Sequence, residues 1–86
     1  MGRKLFEDDG WNDLFYWIRE NKKIADRIYK LLNDIERNGV SKGIGKPERL
    51  KHKNCWSRRI DEENRLLYDV DENNVIHVIS CKGHYE

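Results

Sequence analysis

Apolar positions in the first half of the chain recur with a helical period, and in the second half they shorten into runs of strand length. Lys4-Leu5-Phe6 is a short strand candidate. Trp11, Leu14, Phe15 and Ile18 follow at i, i+3, i+4 and i+7, which puts them on one face of a helix, with Asp8 or Asp9 placed to cap its start. Asn21 is a second cap. Ile24, Ile28, Leu31, Leu32 and Ile35 then carry the same period to Asn38-Gly39, where a glycine free to take a left-handed conformation ends the helix. The two helices form a hairpin, and their aromatic and aliphatic side chains are expected in the core.

Ser41 to Pro47 contains two glycines and a proline and reads as a loop. It has neither of the glycine spacings that cradle a nucleotide phosphate, so nucleotide binding is not expected. Four strand-length runs follow: Arg49 to His52, Trp56 to Ile60, Arg65 to Val70 and Val75 to Cys81, separated by turn-forming segments at hairpin spacing. The last is apolar on both faces, which predicts a central position, whereas Leu66, Tyr68 and Val70 alternate onto one face of the strand before it. The predicted fold is α+β: an N-terminal strand, a two-helix hairpin, then an antiparallel sheet of about four further strands packed on the helices. Residues 1–86 form one domain.

At 86 residues, such a domain hides only about 60 to 65% of its unfolded surface, so a partner that binds the folded form would add usefully to a thin stability margin. Charged residues make up 38% of the chain and hydrophobic ones 37%, a balance that suits a globular protein. No run of apolar residues is long enough for a membrane span or a secretion signal, which points to the cytosol and to reduced Cys55 and Cys81, read as small apolar fillers. Those cysteines with His52, His77 and His84 show no metal-ligand spacing, and neither a metal nor another cofactor is expected.

The net charge of +1 conceals an uneven distribution. Residues 41–60 hold Lys42, Lys46, Arg49, Lys51, Lys53, Arg58 and Arg59 against Glu48 alone, a local sum of +6, and residues 61–86 sum to −5. A basic middle suits a polyanion such as RNA. Taken by itself it would equally describe a solvated charged face.

The second half resembles the YoeB branch (Txe/YoeB family) of the RelE/ParE toxin superfamily. The residues that carry the resemblance are Gly45-Lys46-Pro47-Glu48, Leu50-Lys51-His52, Trp56-Ser57-Arg58-Arg59-Ile60, Glu62-Glu63-Asn64-Arg65-Leu66, Tyr68 and His84-Tyr85, with looser agreement at Trp11, Asp13, Tyr16 and Trp17. Three positions depart from the pattern. The turn between His52 and Trp56 is short, Asn64 stands where a His is common, and Glu86 follows the Tyr that usually ends the chain.

The resemblance implies a RelE-like fold and a toxin of a type II toxin–antitoxin system that cuts messenger RNA in the ribosomal A site without a metal. It implies Glu48 as general base, Arg65 as the main phosphate-stabilising cation, Arg59 and Lys51 as assistants, His84 as general acid and Tyr85 as the group that orients the phosphate or stacks on a base. Arg58 and Lys46 are expected to face RNA. The implied partners are a YefM/Phd-type antitoxin, the 70S ribosome, messenger RNA and a second copy of the chain as a homodimer, with no membrane. The chemistry fits these residue types, since metal-free RNA cleavage needs a base for the 2′-hydroxyl, cations for the phosphate and an acid for the departing 5′-oxygen. Each residue also has a plainer reading: Arg59 and Arg65 as ion-pair partners of Glu62 or Glu63, Lys51 as a solvated lysine, His84 as an exposed terminal His. Two other functions share features of this sequence: a ParE-like toxin that binds DNA gyrase without cutting RNA, and a plain RNA-binding module.

Overall fold

The computed structural model describes residues 2–83. Strand β1 (Arg3–Phe6) leads into helices α1 (Asp8–Glu20) and α2 (Lys22–Asn38), followed by β2 (Glu48–Arg49), β3 (Trp56–Arg59), β4 (Arg65–Val70) and β5 (Val75–Ser80). The five strands make one sheet in the order β1-β5-β4-β3-β2. Every pairing is antiparallel except that of β1 with β5, which is parallel. The two-helix connection between β1 and the hairpins is long enough to bring β1 alongside β5 as an edge strand, giving the predicted α+β architecture with a mixed sheet. β5 is interior, as its two apolar faces require. Among the described residues no helix is long and apolar enough to cross a membrane.

Asn21 joins the helices by serving both. Its N–H donates to the carbonyl of Trp17 at the end of α1, and its Oδ1 accepts from the N–H groups of Lys23 and Ile24 at the start of α2. Gly39 ends α2 at φ +96°, a conformation that L side chains avoid. At the start of α1 the expectation fails. Glu7 occupies the cap without a side-chain bond, and Asp8 and Asp9 lie inside the first turn, where their charges favour the positive end of the helix dipole.

A second expectation fails on the same helix. Ile28, Leu31, Leu32 and Ile35 of α2 are buried against Leu66, Tyr68, Ile76 and Val78 of the sheet, as their period predicts. On α1, however, Trp11, Phe15 and Ile18 are 52%, 40% and 42% exposed, and only Gly10 and Trp17 are buried. Gly10 decides this rotation. A Cβ there would stand 2.5 Å from the carbonyl oxygen of Val78, so α1 approaches β5 along the line of Gly10, Asp13 and Trp17. The row of Trp11, Phe15 and Ile18 is turned outward, with Trp11 edge-on to Phe15 at 4.7 Å and to Phe6 at 6.0 Å.

The two tryptophans should therefore separate in a stability measurement. Trp17→Ala is expected to cost about 3 to 5 kcal/mol, since it empties a core position. It also removes the donor to the carbonyl of Cys81. Trp11→Ala is expected to cost about 1 kcal/mol or less. Urea titrations of both variants followed by fluorescence check the difference, and equal costs would contradict this packing.

The first predicted hairpin strand is also shorter than expected. Only Glu48 and Arg49 pair with β3, and residues 51–55 bend over the helix-free face of the sheet. Leu50 and Cys55 cause the bend: they are buried there against Leu67, with Ile79 packed beside them, and the N–H of Leu50 donates to the carbonyl of Cys55.

Candidate active site

Strand register brings the site together. On β3 alternate side chains take opposite faces, so Arg58 turns to the helices and Ser57 and Arg59 to the open face. Glu48 is paired with Ser57, and Arg59 with Arg65. Glu48, Arg59 and Arg65 thus share the helix-free face, with Glu48 on the diagonal from Arg59, a separation of about 7 to 8 Å in such ladders.

The pairing of Arg59 with Arg65 is unfavourable by itself, because like charges directly opposite on a sheet repel. Among the described residues neither forms an ion pair with Glu62 or Glu63, so the plainer reading of these arginines does not apply. Arg65 instead donates from Nη1 to the carbonyl of Asp61 at 3.0 Å and more weakly to that of Asn64 at 3.4 Å, which holds its guanidinium at the head of the β3–β4 turn. The N–H of Arg59 donates to the carbonyl of Gly45 at 2.7 Å, which fixes the loop just before Lys46 beside β3. An arrangement of two cations and one carboxylate on an open surface can receive a phosphate and a proton-donating group next to it.

Lys51 and His52 are exposed on the bend that follows β2, and with Glu48, Arg49 and Leu50 they line a concavity of about 280 Å³. Lys46 is exposed as well. Both lysines remain on the surface with Glu48.

Arg58 does not belong to this surface. It is 0% exposed. Its Nε donates to the hydroxyl of Tyr68 at 2.9 Å, Nη1 to Asp34 Oδ2 at 2.6 Å and to the carbonyl of Ile44 at 2.9 Å, and Nη2 to the carbonyls of Gly39 and Lys42 at 2.9 and 2.7 Å. These bonds use all five donors of a guanidinium and leave none for RNA. The expectation that Arg58 binds RNA is corrected accordingly: Arg58 is the post around which the loop from Gly39 to Ile44 is wound. Asp34 completes it, accepting also from the N–H of Ile44. Burial alone would push the Asp34 carboxyl up, but the hydrogen bonds from Arg58 and Ile44, the Arg58 charge and the amide of Asn38 together hold it below its ordinary value.

His84 and Tyr85 lie outside the described residues. The chain that leads to them is tied at two points beyond the end of β5. Asp13 Oδ2 accepts from the N–H of Cys81 at 3.0 Å and Trp17 Nε1 donates to its carbonyl at 2.8 Å. Asn64 Oδ1 accepts from the N–H of Gly83 at 2.9 Å, and the N–H of Arg65 donates to the carbonyl of Gly83 at 2.9 Å. Both cysteines are buried and unbonded to each other, in keeping with their reading as fillers. Burial, with Asp13 nearby, pushes the Cys81 thiol up to about 12, and burial raises that of Cys55 too, so neither is primed as a nucleophile. Among the described residues no three of His, Cys, Asp and Glu converge as metal ligands would.

The sequence model for YoeB-like toxins of bacterial type II toxin–antitoxin systems matches residues 6–85. The chain belongs to this YoeB toxin family. It is 39% identical over 83 residues to Toxin YoeB of Escherichia coli strain K12, covering 94% of this chain and 96% of that one. A YoeB–YefM complex from Staphylococcus aureus contains a chain of the same fold, with a TM-score of 0.90, 44% identity and 99% of each chain covered. The YoeB dimer from Staphylococcus aureus superposes equally well, at a TM-score of 0.90 and 42% identity over 96% of this chain and 97% of that one.

In this member of the YoeB family, then, the resemblance named Glu48, Lys51, Arg59, Arg65 and Lys46; the fold leaves Glu48, Lys51, Arg59 and Lys46 exposed and Arg65 half-exposed, and strand register puts Glu48, Arg59 and Arg65 on the helix-free face. Sequence reasoning misassigned Arg58, and the adjacency of the two arginines in a strand was the available signal, since only one of them can face each side. It missed what Asp13, Trp17 and Asn64 do. Asp13 and Trp17 stand one helical turn apart, enough to place them on one face, but nothing along the chain says that this face meets residue 81.

Proposed function

We propose that this chain is a ribosome-dependent endoribonuclease that cuts messenger RNA in the A site. The observation that carries the reading is the pair Arg59 and Arg65, without an ion-pair partner among the described residues and directly opposed on the sheet face that also holds Glu48. Two opposed cations destabilise a sheet unless an anion sits against them, and RNA supplies that anion as the scissile phosphate. Glu48 takes the proton of the 2′-hydroxyl, the freed oxygen attacks phosphorus, and Arg65, helped by Arg59 and Lys51, stabilises the charge that accumulates on the phosphoryl oxygens. The bond to the 5′-oxygen breaks as His84 delivers a proton to it. Tyr85 orients the phosphate or stacks on a base, and Lys46 adds to the attraction for the backbone. The products are a 2′,3′-cyclic phosphate, which water can open to a 3′-phosphate, and a 5′-hydroxyl.

Among the described residues the proposed groups lie on an open sheet face, which grips RNA loosely and supports dependence on the ribosome. A ribosome that fixes the messenger in reactive geometry can supply about 7 to 11 kcal/mol in favourable cases. The site of action is then the cytosol. An antitoxin of the YefM/Phd type and assembly as a homodimer are proposed on the strength of the related chains solved as a YoeB–YefM complex and as a YoeB dimer.

Primer extension on a defined messenger RNA bound to purified 70S ribosomes tests the reading. Cleavage within the A-site codon that requires ribosomes is the expected result. No cleavage by folded protein, together with inhibition of DNA gyrase, would replace it with a gyrase-binding toxin.

A further inference from the structure

Resting on the ribonuclease reading above, we propose that Asn64 is a positioning residue whose carboxamide, together with the N–H of Arg65, fixes Gly83, the residue that carries the chain on to the proposed acid His84. β5 ends at Ser80, three residues before Gly83. Gly83 is nevertheless held by both of its backbone polar groups, the N–H by Asn64 Oδ1 and the carbonyl by the N–H of Arg65. Arg65 is the proposed phosphate cation. The same peptide link that starts Arg65 therefore anchors the residue that precedes His84, and Asn64 closes the other half of the bracket.

Asn64 is itself fixed. It is buried, and its Nδ2 donates to Asp61 Oδ1 and Oδ2 at 3.1 and 3.3 Å. Asp61 Oδ1 also accepts from the N–H groups of Glu63 and Asn64 at 2.9 and 2.7 Å, so the carboxylate organises the turn that presents the side chain. Position 64 thus needs one donor, toward Asp61, and one acceptor, toward Gly83. A carboxamide offers both, and so does a neutral imidazole, which has one N–H and one bare nitrogen. Among the described residues the carboxamide of Asn64 bonds neither Glu48 nor Arg59 but reaches Gly83, while the Asn64 carbonyl accepts a weak bond from Arg65 Nη1 at 3.4 Å.

The test compares wild type, Asn64→Ala and Asn64→His by amide hydrogen exchange at Gly83 and by single-turnover cleavage of ribosome-bound messenger RNA. Asn64→Ala should release the Gly83 amide, with exchange about tenfold faster or more, while amides in β4 and β5 stay protected. Its single-turnover rate should fall about tenfold to a hundredfold with ribosome affinity unchanged, the penalty of a misplaced reacting group. Asn64→His should restore both. A purely structural residue would lower thermal stability without separating rate from affinity.

A variant that releases Gly83 yet cleaves at the wild-type rate overturns the positioning role, and a Gly83 amide still protected in Asn64→Ala overturns the tie itself. If Asn64→Ala fails to fold, Asn64→His carries the test: folded, protected and active it supports the proposal, while folded, unprotected and fully active it sinks it. A folded wild-type chain that cuts nothing on ribosomes would instead overturn the ribonuclease reading and the catalytic half of this proposal with it. Gly83 exchange would still decide the tie.

Discussion

Replacing Glu48 by Gln is expected to slow cleavage of ribosome-bound messenger RNA by about 10² to 10⁴-fold, the range that a well-placed general base contributes. Glu48 is exposed at the edge of the sheet and makes no ion pair among the described residues, so the thermal midpoint should hardly move. Arg65→Ala should produce a loss of similar size, about 10² to 10³-fold, by removing charge stabilisation from the transition state. Arg59→Ala should lose less. Single-turnover rates at saturating ribosome concentration report these effects directly.

The same arginines offer a second readout, with the opposite sign. Because Arg59 and Arg65 face each other across the β3–β4 ladder, removing Arg59 relieves repulsion and is expected to stabilise the fold by about 0.2 to 1 kcal/mol. A structural ion-pair residue would destabilise when removed. Finding a more stable and less active Arg59→Ala would identify a pair kept for binding at a cost to the sheet. A less stable and fully active one would return both residues to a structural role.

Arg58→Met is expected to be among the most damaging single changes in the molecule, costing about 3 to 5 kcal/mol, because it strands a buried partner charge. Asp34, only 12% exposed at its side chain, would lose its cation. The Tyr68 hydroxyl and the carbonyls of Gly39, Lys42 and Ile44 would lose their donors at the same time. A loss of this size is comparable with the whole stability of a small domain, so the variant should be largely unfolded at 37 °C. Adding Asp34→Asn to Arg58→Met should recover part of the loss, since no charge is then left buried without a partner. Urea titrations of the two single variants and the double variant measure the coupling, and additive costs would show that the pair does not act as a unit.

This network also sets an acid limit. The Asp34 carboxyl is held below its ordinary value of 3.8, so the folded state binds fewer protons than the unfolded state as the pH falls. The stability it contributes is complete above the unfolded value and disappears as the pH drops through and below the lowered one. Asp34→Asn should be less stable at neutral pH and flatten that acid limb, which a series of urea titrations from pH 6 downward would show.

Much of this protein is written in local sequence. The period of α2, the shared cap at Asn21, the stop at Gly39 and the strand runs from Trp56 onward follow from spacing and turn chemistry, since each depends on residues within a few positions of one another. Glu48, Arg59 and Arg65 were legible through resemblance. Spacing along the chain could not show that Arg59 and Arg65 stand opposite each other, because register depends on the β3–β4 turn and on which residues the sheet buries.

Other features came only from the assembled fold. The apolar row on α1 has the period of a buried face, yet Gly10 lets the helix settle on Val78 along a different line and leaves Trp11, Phe15 and Ile18 outside. Alternation said that Arg58 and Arg59 must part company, but the acidic Asp34 and the open carbonyls of a distant loop chose which of them went inside. The bracket on Gly83 joins residues 19 positions apart, and that on Cys81 joins residues 68 apart. The sequence by itself determined most of the elements, because those are set by neighbours along the chain. The tertiary structure decided which faces met and which side chains were consumed in holding them, because hydrogen bonding and burial between distant segments exist only once the segments have come together.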